Sequence, residues 1–136
     1  MKRLLAVILS VLMLLSLTAC GKEDPSASNK VIENGTSIGE GEKTFVTEVV
    51  DVDGNTVKFT VHTNEKTVGK ALQDLGILDG EEGEYGLYIK VVNGISADYA
   101  ADGVYWAFYV DGEYAMTGAD MTDAIDGSVY TFRVEK

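Results

Sequence analysis

The stretch from Gly103 to Ala119, GVYWAFYVDGEYAMTGA, is rich in aromatic residues and holds the single tryptophan of this 136-residue chain. Aromatic and β-branched residues dominate positions 104–110, a composition typical of a β-strand. An Asp-Gly pair follows at positions 111 and 112, and such a pair between two apolar runs predicts a tight hairpin turn. The returning sequence, EYAMTGA, predicts the partner strand. The stretch therefore predicts a β-hairpin whose side chains divide between two faces.

The two faces of the first strand differ in chemistry. One face is wholly apolar and is expected to join the core; it consists of Val104, Trp106, Phe108 and Val110. The other face carries tyrosines, which can stand at a boundary with water and offer flat area to a ligand. The candidate ligand-binding residues are Tyr105, Trp106, Tyr109, Tyr114 and Met116. Ordinary cross-strand aromatic pairing is the alternative interpretation of these side chains.

Upstream of this hairpin, the sequence predicts another hairpin and a helix. Asp53-Gly54 separates two β-rich runs, and apolar residues alternate along TVKFTVH at positions 56–62. The period then changes, with Thr67 as an N-cap and Gly76 as a C-terminal stop. The apolar face of this helix repeats at helical spacing and consists of Val68, Ala71, Leu72 and Leu75.

The remaining segments complete one domain, residues 44–136. ILDGEEGEYG, residues 77–86, is interpreted as an acidic loop, and residues 87–94 and 128–135 as strands. DMTDAIDG, residues 120–127, predicts a loop or a short helical turn. One helix packed on one face of a mixed sheet makes an α+β domain.

The N-terminal region predicts export and lipidation. Lys2 and Arg3 precede an apolar run of about 14 residues, too short for a membrane span but suited to a signal peptide. LTAC, ending at Cys20, resembles the bacterial lipobox, in which that cysteine becomes lipidated. Residues 1–19 are thus predicted as a lipoprotein signal peptide, and residues 20–43 as the lipidated Cys20 followed by a flexible polar tether.

The charge balance excludes several partner classes. Without Lys2 and Arg3 the chain has 9 basic and 22 acidic residues, a net charge of −13. This charge argues against nucleic acid and against direct contact with anionic head groups. The predicted contact with the membrane is therefore the N-terminal lipid anchor.

Catalytic and metal-binding motifs are not found in the sequence. His62 is the single histidine and is expected at the surface, and the single cysteine is expected to be lipidated. Asp51 to Asn55 is interpreted as a hairpin turn, because an EF-hand loop would need its glycine at position 6. Asp120, Asp123 and Asp126 are interpreted as a solvated acidic edge. We therefore expect neither an enzyme nor a metal site.

Short matches in a fixed order resemble a known family. They are Thr67-Val68, Ala71-Leu72, Asn93-Gly94, Tyr105-Trp106, Asp111-Gly112, Gly118-Ala119 and Asp126-Gly127. Over roughly residues 56–136 the chain resembles the transcobalamin-like C-terminal domain (the DUF4430 domain), common in lipoproteins of Gram-positive bacteria. The resemblance implies a β-grasp-like fold.

The resemblance also suggests a cofactor without fixing it. In the vertebrate cobalamin carriers the namesake domain closes over one face of a corrinoid held by a helical domain, so a corrinoid is a candidate ligand here. This chain has only the predicted signal peptide and tether in place of the helical domain, and its single cysteine cannot form the internal disulfides those carriers use.

These observations predict a lipoprotein anchored at the extracytoplasmic face of the cell membrane, on a Gram-positive surface. Its domain is expected to be a non-catalytic module that binds a small ligand or another envelope protein. The alternative is a structural, adhesion or assembly module of the envelope with no small-molecule ligand.

Overall fold

The structure, a computed structural model, describes residues 31–136. The predicted signal peptide, the lipidated Cys20 and the first part of the predicted tether lie outside the described residues. Within this range, no helix is both long and apolar enough to cross a membrane.

Nine strands, two short helices and a 3₁₀ turn make up the described part of the chain. In order they are β1 (Ser37–Gly39), β2 (Lys43–Val50), β3 (Thr56–Thr63), α1 (Val68–Asp74), β4 (Leu78–Gly83), β5 (Gly86–Val92), β6 (Ile95–Ser96), α2 (Tyr99–Asp102), β7 (Tyr105–Val110), β8 (Glu113–Tyr114), the 3₁₀ turn (Ala119–Met121) and β9 (Val129–Glu135). Both predicted hairpins and the predicted final strand are present.

The strands form two sheets. The larger sheet has the order β1-β3-β2-β9-β7-β8, and the smaller has the order β4-β5-β6. In the larger sheet β2 and β9 are parallel neighbours, whereas β3 and β7 run antiparallel to them. The smaller sheet is wholly antiparallel. A mixed larger sheet with one main helix confirms the predicted α+β class.

The core lies between the larger sheet and α1. Its inner face is aromatic: Tyr130 is edge-on to Phe45 and stacked on Phe108, with ring centroids 5.1 Å and 6.2 Å apart. The fully buried Tyr130 still satisfies its hydroxyl, which donates to Asp123 O at 2.8 Å and accepts from Ile125 N at 2.9 Å. Trp106 and Phe108 are buried in this core, as the alternation along β7 predicted.

Helix α1 begins and ends as its sequence predicts. The Thr67 side chain accepts a hydrogen bond from Lys70 N at 3.3 Å, which satisfies one of the free N–H groups of the first turn. Gly76 has a φ of 74°, the left-handed conformation that glycine adopts most readily just past a helix. Val68, Ala71 and Leu72 are buried.

The predicted acidic loop over residues 77–86 is wrong. Residues Leu78–Gly83 form β4, and a two-residue turn at Glu84 and Tyr85 joins it to β5. After Leu78 the side chains of β4 are acidic and exposed, or absent. The strand therefore lacks the alternation of apolar and polar residues by which a strand is predicted from sequence. Burial of Ile77 and Leu78 at its start fixes it to the core instead.

The predicted tether extends too far into the domain. Ile32 is only 4% exposed, and its N–H and C=O are both hydrogen-bonded to the buried Asn93 side chain, at 2.6 Å and 3.1 Å. Strand β1 then pairs in parallel with β3. A flexible tether would need neither contact, so the fold begins near Ile32 rather than at residue 44. A single apolar residue and a three-residue strand gave no periodic signal.

Candidate functional site

A surface groove lies where the two sheets face each other. It has a volume of about 240 Å³. One wall is the edge of β5 at residues 87–89, the opposite wall is the edge of β7, and residues 114–119 close the third side. The lining is mostly apolar and aromatic, the usual character of ligand sites in proteins.

The groove exists because β8 is short. The turn at Asp111 and Gly112, with φ values of 48° and 87°, brings β8 back against β7 for only two residue pairs. After Tyr114 the chain leaves the sheet and runs to the 3₁₀ turn. The edge of β7 from Tyr105 to Phe108 therefore has no neighbouring strand among the described residues.

Trp106 joins the two sheets at one end of the groove. Its indole Nε1 donates to Lys90 O at 3.2 Å. Lys90 sits at a register shift: Asp79 pairs with Val91 and Gly80 with Ile89, so Lys90 has no partner on β4. A bulge of this kind changes the direction in which nearby side chains and main-chain groups point. Here the Lys90 carbonyl accepts hydrogen bonds from both Trp106 Nε1 and Ala97 N.

Three large apolar side chains stand at the rim of the groove and are exposed. Tyr88 is 42% exposed, Tyr114 61% and Met116 95%. Exposed apolar side chains that gather at a concave surface mark a binding site more often than isolated ones do. The rim is therefore the part of the groove that an incoming ligand meets first.

The 3₁₀ turn holds the β5 wall in place through Asp120. Asp120 Oδ2 accepts from Leu87 N at 3.2 Å, while Oδ1 is buried without a partner among residues 31–136. Glycine at positions 86 and 118 leaves room for this carboxylate. A Cβ at Gly86 would crowd both Asp120 oxygens, and a Cβ at Gly118 would crowd Oδ1. Asp120 is thus a support of the groove and not the solvated residue that the sequence predicted.

A tyrosine and glutamate cluster lies on the outer face of the larger sheet. The hydroxyls of Tyr105 and Tyr109 both donate to the carboxylate of Glu135, at 3.3 Å for Tyr105. Arg133 packs over the Tyr109 ring, 5.5 Å from its centroid, and Tyr114 meets that ring edge-on. Burial and the nearby Glu135 raise the pKa of Tyr105, and the hydrogen bond to Glu135 does most to raise the pKa of Tyr109.

This cluster predicts a loss of stability in alkali. The folded state holds the phenolic protons of Tyr105 and Tyr109 more tightly than the unfolded chain, because their pKa values are raised above 10.0. Their contribution is fully present at pH 7 and is lost as the pH rises through the folded-state values. We expect the urea midpoint of the Tyr109→Phe variant to fall less between pH 9 and 11 than that of the native chain. A Tyr85→Phe control, at an exposed ring, should keep the native pH dependence; equal slopes for all three proteins would contradict the prediction.

The structure separates the predicted site residues. Tyr105, Trp106, Tyr114 and Met116 line the groove, and Tyr105 also bonds to Glu135 through its hydroxyl. Tyr109 does not line the groove and lies only in the cluster with Glu135. Sequence reasoning missed the whole β5 wall, which consists of Leu87, Tyr88 and Ile89. The strand itself was predicted, but nothing in the sequence showed that it faces β7.

Potential ligands for metals are scattered in the described residues. His62 is half-buried, and its ring nitrogens contact Ser37 Oγ at 2.8 Å and Thr44 Oγ1 at 3.0 Å. Across residues 31–136, no three His, Cys, Asp or Glu side chains are placed to hold one ion. The groove is thus lined by apolar groups and main-chain polar groups, with Asp120 behind its wall.

The fold and the groove define a small β-grasp-like α+β domain with a concave aromatic surface between two sheets. The chain belongs to the DUF4430 family, described as a domain of unknown function, which matches residues 65–136. Comparison with the curated proteins found no match.

Several solved structures are similar to this chain, including the following two. One is a candidate metal binding protein from Ruminococcus gnavus ATCC 29149, with 32% identity and a TM-score of 0.66, over 70% of this chain and 98% of that protein. The other is haptocorrin in complex with Cbi, with 22% identity and a TM-score of 0.51, over 69% of this chain. The match spans a quarter (25%) of haptocorrin, and at this identity it shows the fold alone.

Proposed function

We propose that this protein is a lipid-anchored binding module that holds a ligand non-covalently in the groove between β5 and β7. The observation that carries the proposal is the exposed apolar rim of Tyr88, Tyr114 and Met116 around a concave surface. Exposed apolar side chains of this kind do not help a monomer to stay soluble, but a bound ligand could bury them and so be held in place. The two similar structures are described as a binding protein and a ligand complex, which supports a non-catalytic role.

A corrinoid is one candidate for this ligand. Haptocorrin, which shares the fold, is described in complex with Cbi. A groove of about 240 Å³ lies below the usual size of an enclosed ligand site. A corrinoid would therefore contact the rim with one edge or face and leave the rest in solvent.

The binding proposal is tested by isothermal titration of the purified full chain with a panel of corrinoids and small aromatic ligands. The expected result is a saturable heat that the Tyr114→Ala and Met116→Ala variants weaken at least fivefold. Val52→Ala, at an exposed position on the β2–β3 turn, is the matched control and should bind as the native chain does. Equal binding by all variants would move the site away from the groove.

The anchoring proposal rests on LTAC and Cys20. It places the domain at the extracytoplasmic face of the membrane, on a Gram-positive surface. In the producing cell, Cys20→Ala should abolish acyl labelling and release the protein from the membrane fraction, because two or more acyl chains are what makes such anchoring stable. The matched control is Thr18→Ala, which keeps a small residue within the motif and should stay in the membrane fraction. Retention of the Cys20→Ala variant would refute the anchor.

A further inference from the structure

The open edge of β7 presents main-chain groups in a strand pattern. The N–H and C=O groups of odd-numbered residues in β7 point toward β9. The hydrogen bond from Asp111 N to Val129 O, 2.8 Å long and just past the end of β7, shows this pattern. Even-numbered residues point the other way, as the bond from Ala115 N to Phe108 O at 3.0 Å shows. Antiparallel strands alternate in this manner. Trp106 therefore turns its N–H and C=O, and Phe108 its N–H, toward the groove.

These groups find no hydrogen-bond partner among residues 31–136. The pairing of β8 with β7 ends at Phe108, because the chain turns away after Ala115. The open edge from Tyr105 to Phe108 is four residues long, roughly 13 Å at 3.3 Å per residue. Unpaired strand edges are templates for another strand, and an extended peptide gains affinity by pairing with them.

The walls of the groove suit the side chains of an extended peptide. Successive side chains of a strand point to opposite faces, so one set would meet the apolar wall of Leu87 and Ile89. The exposed rings of Tyr88 and Tyr114 flank the entrance. The groove thus offers main-chain partners along one side and apolar contacts along the other.

Charge decides which peptide fits. Residues 31–136 contain 20 acidic and 7 basic residues, a net charge of −13. Behind the β5 wall Asp120 accepts from Leu87 N, and the ammonium group of Lys90 is already paired with Glu81 at 3.0 Å and lies 3.9 Å from Asp98. A second copy of this chain would bring the same negative charge, whereas a basic segment is attracted.

We propose that the groove binds an extended, positively charged segment of a partner protein as an added strand on the β7 edge. This proposal rests on the proposed function, since it assigns the ligand class of the same groove. Recognition uses the main-chain groups of Trp106 and Phe108 for alignment and the acidic surroundings for selection.

The test uses the full chain and a synthetic octapeptide of alternating lysine and valine, blocked at both ends. We expect binding that weakens with salt, and amide hydrogen exchange of Trp106 and Phe108 slowed at least fivefold by the peptide. The amide of Ala107 already faces β9 and should not change. Two further peptides carry N-methyl groups on the backbone, one at every valine and the other at every lysine. Their affinities should differ at least tenfold, because only one of the two sets of amides faces β7. A glutamate–valine peptide is the matched charge control and should not bind.

Two protein variants control for the site. Ala115→Trp fills the groove and should abolish binding, whereas Val52→Trp, on the distant β2–β3 turn, should not. Peptide binding without slowed exchange at Trp106 and Phe108 would overturn strand addition but leave a groove ligand in place. If a corrinoid binds but the peptide does not, and Ala115→Trp blocks the corrinoid, strand addition is also overturned. The proposed function, a ligand in the groove, then still stands. Slowed exchange that depends on protein concentration, without peptide, would assign the edge to a second copy and overturn the proposal. If Ala115→Trp alters binding of no probe, the proposed function fails as well.

Discussion

Trp106→Ala is expected to lower the free energy of unfolding by about 3–5 kcal/mol, the usual cost of truncating a buried tryptophan. Trp106 is 8% exposed and packs in the core from β7, at the part of that strand that β8 does not cover. It also ties β7 to the Lys90 carbonyl of the second sheet. Its loss should leave a cavity and free the smaller sheet to move relative to the larger one. Urea unfolding followed by circular dichroism measures the effect, since the chain has no other tryptophan to report fluorescence.

Two further variants separate packing from hydrogen bonding. Trp106→Phe keeps most of the ring area and should cost about 1 kcal/mol beyond the lost volume, because Lys90 O still accepts from Ala97 N at 2.8 Å. Tyr114→Ala removes an exposed ring and should change stability by less than about 0.5 kcal/mol. A Trp106→Ala loss no larger than that of Tyr114→Ala would show that Trp106 does not hold the sheets together.

Gly69→Ala is expected to destabilise the protein by about 1–3 kcal/mol, although alanine is the better helix former. A methyl group at Gly69 would lie 2.7 Å from both Cα and N of Asp120. The backbone of the 3₁₀ turn would have to move, and it is fixed to the helix by the bond from Val68 N to Thr122 O at 2.9 Å. Displacing Asp120 also breaks its bond to Leu87, so groove binding should weaken together with stability.

Gln73→Ala supplies the matched control on the same helix. Gln73 is exposed, and alanine there should be neutral or slightly stabilising. Thermal unfolding of the two variants and the native chain measures the contrast. A Gly69→Ala protein as stable as the native one would mean that the 3₁₀ turn yields freely, and that Asp120 does not depend on the helix for its position.

The sequence was informative wherever local rules act alone. Several features depend only on residues that are close together in sequence: the turns at Asp53-Gly54 and Asp111-Gly112, the Thr67 cap and the alternation along β7. Each could be predicted from them. Burial of Trp106 and Phe108 followed from the same alternation, because a strand shows opposite faces at successive residues.

The groove could not be predicted, because it depends on which strand edges meet. Nothing local to Leu87 shows that it faces Tyr105, nor that a bulge at Lys90 turns a carbonyl toward Trp106. Nothing local to Asn93 shows that its side chain hydrogen-bonds to Ile32, 61 residues earlier. Glycine at position 69 is a poor helix former by local rules, and only the close approach of Asp120 explains why it is needed there.

The position of β9 sets the order in which this domain can be completed. The last strand lies between β2 and β7 and pairs in parallel with residues more than 80 positions earlier, such as Val46 with Val129. Such long-range pairing is slow, because a large loop must close before any contact rewards it. The larger sheet therefore cannot close until β9 has left the ribosome, and deletion of Val129–Glu135 would remove a strand from the middle of the sheet rather than from its edge.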